Sequence, residues 1–361
     1  MIIESLDLKN FRNYENLSIE FDSNTNIFYG DNAQGKTNIL EAIYIAATTK
    51  SHRIAKDKEV IEFGNNEAHI KLVVDKCGLK YRIDMHIKKD KAKGIAVNGV
   101  PIKKASELLG IMNVVFFSPE DLDIIKEGPV LRRRFIDMEL CQLNKSYLFN
   151  LTNYNKVLNQ RNKLLKELWF DEKNKDTLSV WNYQLVKYGT EVIRQREIFI
   201  NELNSIIYNI HKSLSGDKEE LSVKYEPSVS ADSFEKTIMA SLDKDIKFKS
   251  TSYGPHRDDI NFLLNGIDVR KYGSQGQKRT VALSLKLSEI EFVKNTINDK
   301  PILLLDDVLS ELDSTRQNLL LNSIDDVQTI ITCTGIDEFV NNRFNINKIF
   351  KVVKGTVVNE N

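Results

Sequence analysis

The chain has 361 residues, 41% hydrophobic and 28% charged, and its 51 basic and 51 acidic side chains leave no formal net charge. The hydrophobic share supports a packed core and argues against disorder, and without a global field any DNA contact would need a local basic face. Cys77, Cys141 and Cys333 form no CxxC pair and nothing approaches the ~20 apolar residues of a membrane span, so a reduced, cytoplasmic protein without a secretory signal is expected.

Ile2 to Leu8, Leu17 to Phe21 and Thr25 to Tyr29 read as strands separated by Asn-rich turns. The third runs into Gly30-Asp31-Asn32-Ala33-Gln34-Gly35-Lys36-Thr37, followed by NILEAIYIAAT at helical spacing. This meets the pattern GxxxxGK plus Ser or Thr at every fixed position, between a strand and a helix. Glycines let the backbone wrap around phosphate with its amides inward, and the helix N-terminus adds positive potential. Lys36 is expected to reach the β/γ-phosphates of ATP, and the Thr37 hydroxyl to ligate Mg²⁺. Residues 68–100 read as antiparallel strands, and MNVVFFSP as a buried strand ended by Pro119.

From about Leu131 to His211 the pattern is helical. Leu185, Val192, Phe199 and Ile206 recur every seven residues, flanked by Trp181, Tyr188, Leu203 and Ile210 and interrupted by polar Gln195. At ~1.5 Å per residue this coiled-coil-like stripe spans ~45 Å, which suits a helical subdomain better than an extended coil. Strand texture returns near Thr251. A helix from about Lys278 to Asn295, a strand PILLLDD, a helix after Asp313 and a strand QTIITCT follow. The expected architecture is an α/β P-loop head split in sequence, 1–118 plus 248–361, with a helical arm inserted at 119–247.

Ile302 to Leu305 is a continuous apolar run ending in Asp306 and Asp307, as a parallel strand delivering acids to a ligand at its carboxyl end would be. Asp306 is expected to bind Mg²⁺ through water, and Asp307 to orient or deprotonate the attacking water, with Lys36 as its catalytic companion. Gly273-Ser274-Gln275-Gly276-Gln277-Lys278-Arg279 stands about thirty residues earlier and opens a helix. Ser274 offers a hydroxyl, Gly276 an unobstructed N–H and the helix its positive end. In isolation an N-capped helix explains these residues equally well. Arg12 and Arg53 flank the P-loop if the fold is right and could contact nucleotide or DNA. Two basic clusters are candidates for DNA: Lys76, Lys80, Arg82, Lys88, Lys89, Lys91 and Lys93, and the run Arg132, Arg133, Arg134.

The order P-loop, GSQGQ, acidic strand and Ser310-Glu311-Leu312-Asp313 resembles that of ABC-type ATPases. There the signature Ser, Gly and Gln bind the γ-phosphate held by a second subunit, and the D-loop lies along the dimer seam. A closer resemblance is to the RecF family of the ABC/SMC superfamily. It is carried by LKNFRNY at 8–14, SHR at 51–53, SPEDLDIIKEGPVLRRRFID at 118–137, YNKVLNQRN at 154–162, WNYQLVKYG at 181–189, TSYGPHRDD at 251–259, GSQGQKRT and LLLDDVLSELD. The resemblance implies an ATP-dependent homodimer that binds gapped or single-strand/duplex junction DNA and works with RecR and RecO in loading recombinase. It also implies slow, DNA-stimulated hydrolysis. An SMC-like tether is the alternative, but ~130 inserted residues are too few for a long coil. The chain departs from the wider ABC pattern in three places. Asp307 replaces the usual Glu, no Gln stands between Phe117 and Glu120, and Thr332-Cys333-Thr334 holds no switch histidine.

Overall fold

The computed structural model describes residues 1–54, 56–168, 176–322, 324, 326–335 and 347–359. They form two compact units, Met1–Asp121 with Lys286–Asn361, and Leu122–Leu285.

The first unit opens with β1 (Ile2–Phe11), β2 (Tyr14–Glu20), β3 (Thr25–Tyr29), α1 (Lys36–Thr48), β4 (Glu67–Lys76), β5 (Leu79–Lys88), β6 (Gly94–Val97), β7 (Val100–Pro101) and β8 (Val114–Phe117). An antiparallel sheet takes the order β2-β1-β4-β5-β6-β7. Alternation along its strands sets its two faces. Leu6, Leu8, Ile70, Leu72, Ile83 and Met85 are buried, while Asp7, Lys9, His69, Lys71, Asp84 and His86 are half-buried or exposed.

The second unit holds α2 (Leu122–Lys126), α3 (Pro129–Leu143), α4 (Lys145–Leu168), α5 (Leu178–Ser215), β9 (Leu221–Glu226), α6 (Phe234–Ala240), α7 (Leu242–Phe248), β10 (Asp259–Leu264), β11 (Ile267–Asp268), α8 (Val269–Tyr272) and the start of α9 (Gln275–Ile297). With 38 residues α5 is longer than its apolar stripe suggests, ~57 Å at ~1.5 Å per residue. Leu185, Val192 and Phe199 are buried and Ile206 is half-buried; Ile193, Ile200, Leu203 and Ile207 complete the packed face. Gln195 does not break the stripe, because its amide donates to Glu191 at 3.0 Å. The polar residues that α5 does bury are Asn182, His211 and Gln195's neighbour Arg196. The return to the first unit falls at Lys286 rather than at 248. The reason is a non-local pairing: β10 lies antiparallel to β9, from Asp259 opposite Glu226 to Leu264 opposite Leu221, which ties the segment after Thr251 to the arm.

Back in the first unit come β12 (Ile302–Asp306), α10 (Ser314–Asn322), β13 (Thr329–Cys333), β14 (Lys348–Val353) and β15 (Thr356–Asn359). They join earlier strands in a second sheet ordered β15-β14-β3-β13-β12-β8, parallel except that the edge strand β15 runs antiparallel to β14. ILLLD and TIITC are buried throughout, as parallel strands covered on both faces must be. Thr332 lies opposite both Asp306 and Phe28. The carboxyl ends of β3, β12 and β13 therefore meet at one edge, where sheets of this kind place ligands. Gln328 joins the two sheets: its carbonyl accepts from Ile3 N–H at 2.7 Å, and its amide donates to the Ile3 and Asp22 carbonyls at 2.9 and 2.8 Å.

Candidate functional site

β3 delivers the loop Gly30 to Thr37 to that edge. Gly30, Ala33 and Gly35 have φ of 148°, 63° and 116°. At Gly35 the requirement is twofold, since a Cβ there would also collide with the Asn13 side chain and the Tyr14 hydroxyl. The Gln34 carbonyl accepts from Asn13 Nδ2 at 2.9 Å and from Gly355 N–H at 3.2 Å, and the Gly35 carbonyl accepts from Tyr14 at 3.0 Å. Lys354 N–H donates to the Gln34 side chain at 2.6 Å. The β1–β2 and β14–β15 turns thus hold the loop's carbonyls, the arrangement in which such a loop can turn N–H groups toward an anion. The buried Lys36 ammonium reaches back across the loop to the Gly30 and Asp31 carbonyls, at 2.5 and 2.8 Å.

Asp306 stands beside the start of α1. Its Oδ1 accepts from Thr37 Oγ1 at 2.8 Å and from Thr332 Oγ1 at 2.7 Å. Burial pushes its carboxyl above the usual range, against the two hydroxyls and the Arg53 charge, and Glu120 adds to the rise. A desolvated carboxylate sharing an oxygen with a threonine hydroxyl is a hard-oxygen donor pair that fits Mg²⁺. Thr332, at the expected switch-histidine position, is committed to Asp306. Glu120, in the stretch that lacks a Gln, is the charge there that acts on Asp306. Asp307 adopts φ 52°, held by its N–H to the Thr332 carbonyl and hydroxyl at 3.1 Å each. Its Oδ1 is buried and has no hydrogen-bond partner among the described residues. Such an oxygen is costly to keep and is available to accept a proton.

Arg12, expected beside the nucleotide, has partners within the chain. Its guanidinium grips Glu41 through Nε at 2.9 Å and NH2 at 2.8 Å, and donates to the Glu59 carbonyl at 2.9 Å. Ser51 also donates to Glu41, at 2.5 Å. Burial works against the Glu41 charge, but the Arg12 and Ser51 hydrogen bonds outweigh it and hold the carboxyl below its usual range. The arginine therefore has a structural partner that sequence reading missed. Glu41 lies mid-helix in α1 and carries no local signal of its role.

In the second unit, Ser274 and Gln277 cap α9 reciprocally. Ser274 Oγ accepts from Gln277 N–H at 3.2 Å, and the Gln277 side chain accepts from Ser274 N–H at 2.8 Å. Ser274 and Gly276 are exposed. A Cβ on Gly276 would meet nothing nearer than Ser274 Oγ at 3.9 Å, so no described part of this chain requires glycine there.

The other arm motifs converge on a buried polar core. Arg196 donates to Tyr147 at 3.0 Å, the Pro255 carbonyl at 2.6 Å, Asp258 at 3.2 Å and Asp137 at 2.8 Å. Arg161 binds Asn182 at 2.7 Å, Asp245 at 2.8 Å and Thr251 at 2.7 Å. His256 meets the Tyr154 hydroxyl at 2.6 Å and the Thr251 carbonyl at 3.0 Å, and burial lowers its pKa to about 4. The GPHRDD turn is thus a scaffold element. The arginine run is corrected in the same way. Arg132 is buried in a bidentate pair with Asp259 at 2.5 and 2.9 Å, and Arg133 donates to the Asp258 carbonyl at 2.6 Å, so only Arg134 is exposed. Around β4 and β5, Lys80, Arg82, Lys88 and Lys93 pair with Glu4, Asp84, Glu67 and Asp57. On the same sheet His69 and His86 stack at 4.1 Å, with Nε2 atoms 3.6 and 2.8 Å from the two Glu67 oxygens. The His86 contact is a hydrogen bond and the His69 contact is too long for one, and the three ligand atoms lie within 4.8 Å of one another.

A family model described as "RecF/RecN/SMC N terminal domain" matches residues 2–357. The "DNA replication and repair protein RecF" of Lachnospira eligens is 64% identical over 100% of both chains, and that of Lachnoclostridium phytofermentans is 61% identical over 99% of both. The chain belongs to the RecF family. A solved structure described as the "recombination mediator protein RecF-ATP in RecFOR pathway" is 36% identical, with a TM-score of 0.93 over 100% of this chain and 98% of that one. The Smc head domain of Pyrococcus furiosus, 18% identical over 99% of this chain and 96% of that one with a TM-score of 0.58, shares the fold. The architecture is therefore the RecF/SMC ATPase-head fold with a helical arm. Among the described residues no helix is long and apolar enough to cross a membrane.

Proposed function

We propose that the chain is an ATP-gated DNA clamp of recombinational repair. ATP and Mg²⁺ bind at Gly30 to Thr37 with Asp306, and Lys36 faces the β/γ-phosphates. Asp307 takes the proton of the attacking water in a slow hydrolysis that DNA stimulates. Two copies close over the nucleotides, each offering Ser274, Gly276 and Gln277 to the γ-phosphate of the other, with Asp313 along the seam. The closed dimer binds gapped or single-strand/duplex junction DNA and acts with RecR and RecO in the cytoplasm. The relative described as RecF-ATP in the RecFOR pathway supports the nucleotide and partner readings.

The observation that carries the shared site is Gly276. Its surroundings leave room for a side chain, so the glycine answers to something approaching from outside the chain, and an exposed helix N-terminus suits phosphate. Ser274→Arg should place a long cation in that space. We expect the variant to bind ATP within a few-fold of the parent, because every residue of the primary site remains. Light scattering with Mg-ATP should give dimer mass for the parent and monomer mass for the variant. Addition of gapped duplex should shift the parent further and the variant little. An ATP-dependent dimer of the variant would contradict the shared site.

A further inference from the structure

Below the start of α9 lies a run of hydrogen bonds and one ion-pair contact that nucleotide chemistry does not require. Gln277 Nε2 donates to Glu219 Oε1 at 2.8 Å. Glu219 Oε2 faces Nε2 of the fully buried His211 at 3.4 Å, and His211 Nδ1 meets Ser284 Oγ at 2.8 Å. Ser284 in turn donates to the Thr280 carbonyl at 2.8 Å, one turn back on α9. His211 belongs to the last turns of α5, and Glu219 to the loop between α5 and β9. The longest helix of the arm and the loop that follows it are thus each tied to α9, the helix that Ser274 caps and that carries Gly276.

The contact at Gln277 has a directional consequence. An amide can present either its oxygen or its NH₂ group to a neighbour. The Glu219 carboxylate, an acceptor only, claims the NH₂ group and forces the Gln277 oxygen toward Ser274 N–H. That completes the reciprocal cap that fixes Ser274 Oγ. With the amide reversed, two N–H donors would oppose each other at Ser274, and the cap would open.

We propose that Glu219 is a positioning residue for the composite site. By holding the Gln277 amide it sets Ser274 and the first turn of α9 in the geometry that receives the phosphate of a second copy, and through His211 it makes that geometry depend on where α5 ends. The inference rests on the shared-site reading above. Glu219 is not among the residues assigned to nucleotide or metal.

The test uses the full-length protein as Glu219→Leu and Glu219→Gln, with thermal unfolding to confirm that each folds. The Gln variant keeps an oxygen that can accept from Gln277 Nε2, whereas the Leu variant does not. Three quantities are read: ATP affinity under conditions where the protein is monomeric, the concentration for half-maximal ATP-dependent dimerisation, and single-turnover hydrolysis. Losing a charge-assisted hydrogen bond should raise the dimerisation midpoint of the Leu variant roughly tenfold or more. Its monomer ATP affinity should stay within about twofold, and its hydrolysis should recover at high protein concentration. The Gln variant should lie within about threefold of the parent. Equal dimerisation of the Leu variant and the parent would overturn the proposal alone, as would equal losses in both variants. A parent that forms no ATP-dependent dimer would remove the shared-site reading, and this inference with it.

Discussion

Asp307→Asn is expected to bind ATP normally, to hydrolyse it about 10²–10⁴-fold more slowly in a single turnover, and to accumulate as the ATP-bound dimer. The substitution changes little except proton affinity. Position 307 needs φ 52°, which asparagine tolerates well. The backbone bonds to Thr332 that hold the turn do not involve the side chain. The buried Oδ1 has no hydrogen-bond partner among the described residues, so an amide of the same shape breaks no hydrogen bond at that oxygen. What disappears is a base beside the Asp306 carboxylate. Undiminished single-turnover hydrolysis would move the base to another group, with Glu120 the first to examine.

Arg196→Met should destabilise the arm by about 3–5 kcal/mol, because the buried carboxylate of Asp258 and the half-buried one of Asp137 lose their cation. That is a large part of the roughly 5–15 kcal/mol of a typical domain. Denaturant unfolding followed in the arm would show it as an earlier midpoint. The deficit should also depend on pH. Burial already raises the Asp258 pKa, with Arg196 opposing that rise, and without the arginine it must rise further. A folded state that holds a proton more tightly than the unfolded chain gains stability as pH falls. The gap between variant and parent should therefore narrow from pH 7 toward pH 5. A stability unchanged at both values would show that the network is dispensable.

How far the sequence revealed this molecule depended on the range of each interaction. The P-loop was legible because its requirements are local: positive φ at fixed steps, a strand before and a helix after. Asp306 and Asp307 were legible because a run of buried apolar residues ending in acids marks the end of a parallel strand. Arg132 was misjudged, since a triple arginine looks like a solvated face and its partner Asp259 lies 127 residues away. Arg12 stood out as a nucleotide or DNA contact, but its partner Glu41 did not, because one acid in an apolar helix has no periodic signature. The arm's extent was underestimated for a similar reason. β9 is short and amphipathic, and only its pairing with β10 shows that the chain has not yet returned to the head. Glu219 and His211 offered no sequence signal at all.

The central claim is that each nucleotide site is built from two chains, and mixing two inactive variants tests it most directly. Lys36→Ala should lack the principal charge facing the phosphates, and Ser274→Arg should block the surface proposed to close over a neighbour's nucleotide. Each alone should neither dimerise with ATP nor hydrolyse it. In a mixed dimer one site joins the intact P-loop of the Ser274→Arg chain to the intact Ser274 of the Lys36→Ala chain, while the second site carries both defects. The account predicts that ATP hydrolysis and dimer mass reappear on mixing and peak near equal proportions of the two proteins. A mixture as inactive and monomeric as its components at every ratio would contradict it.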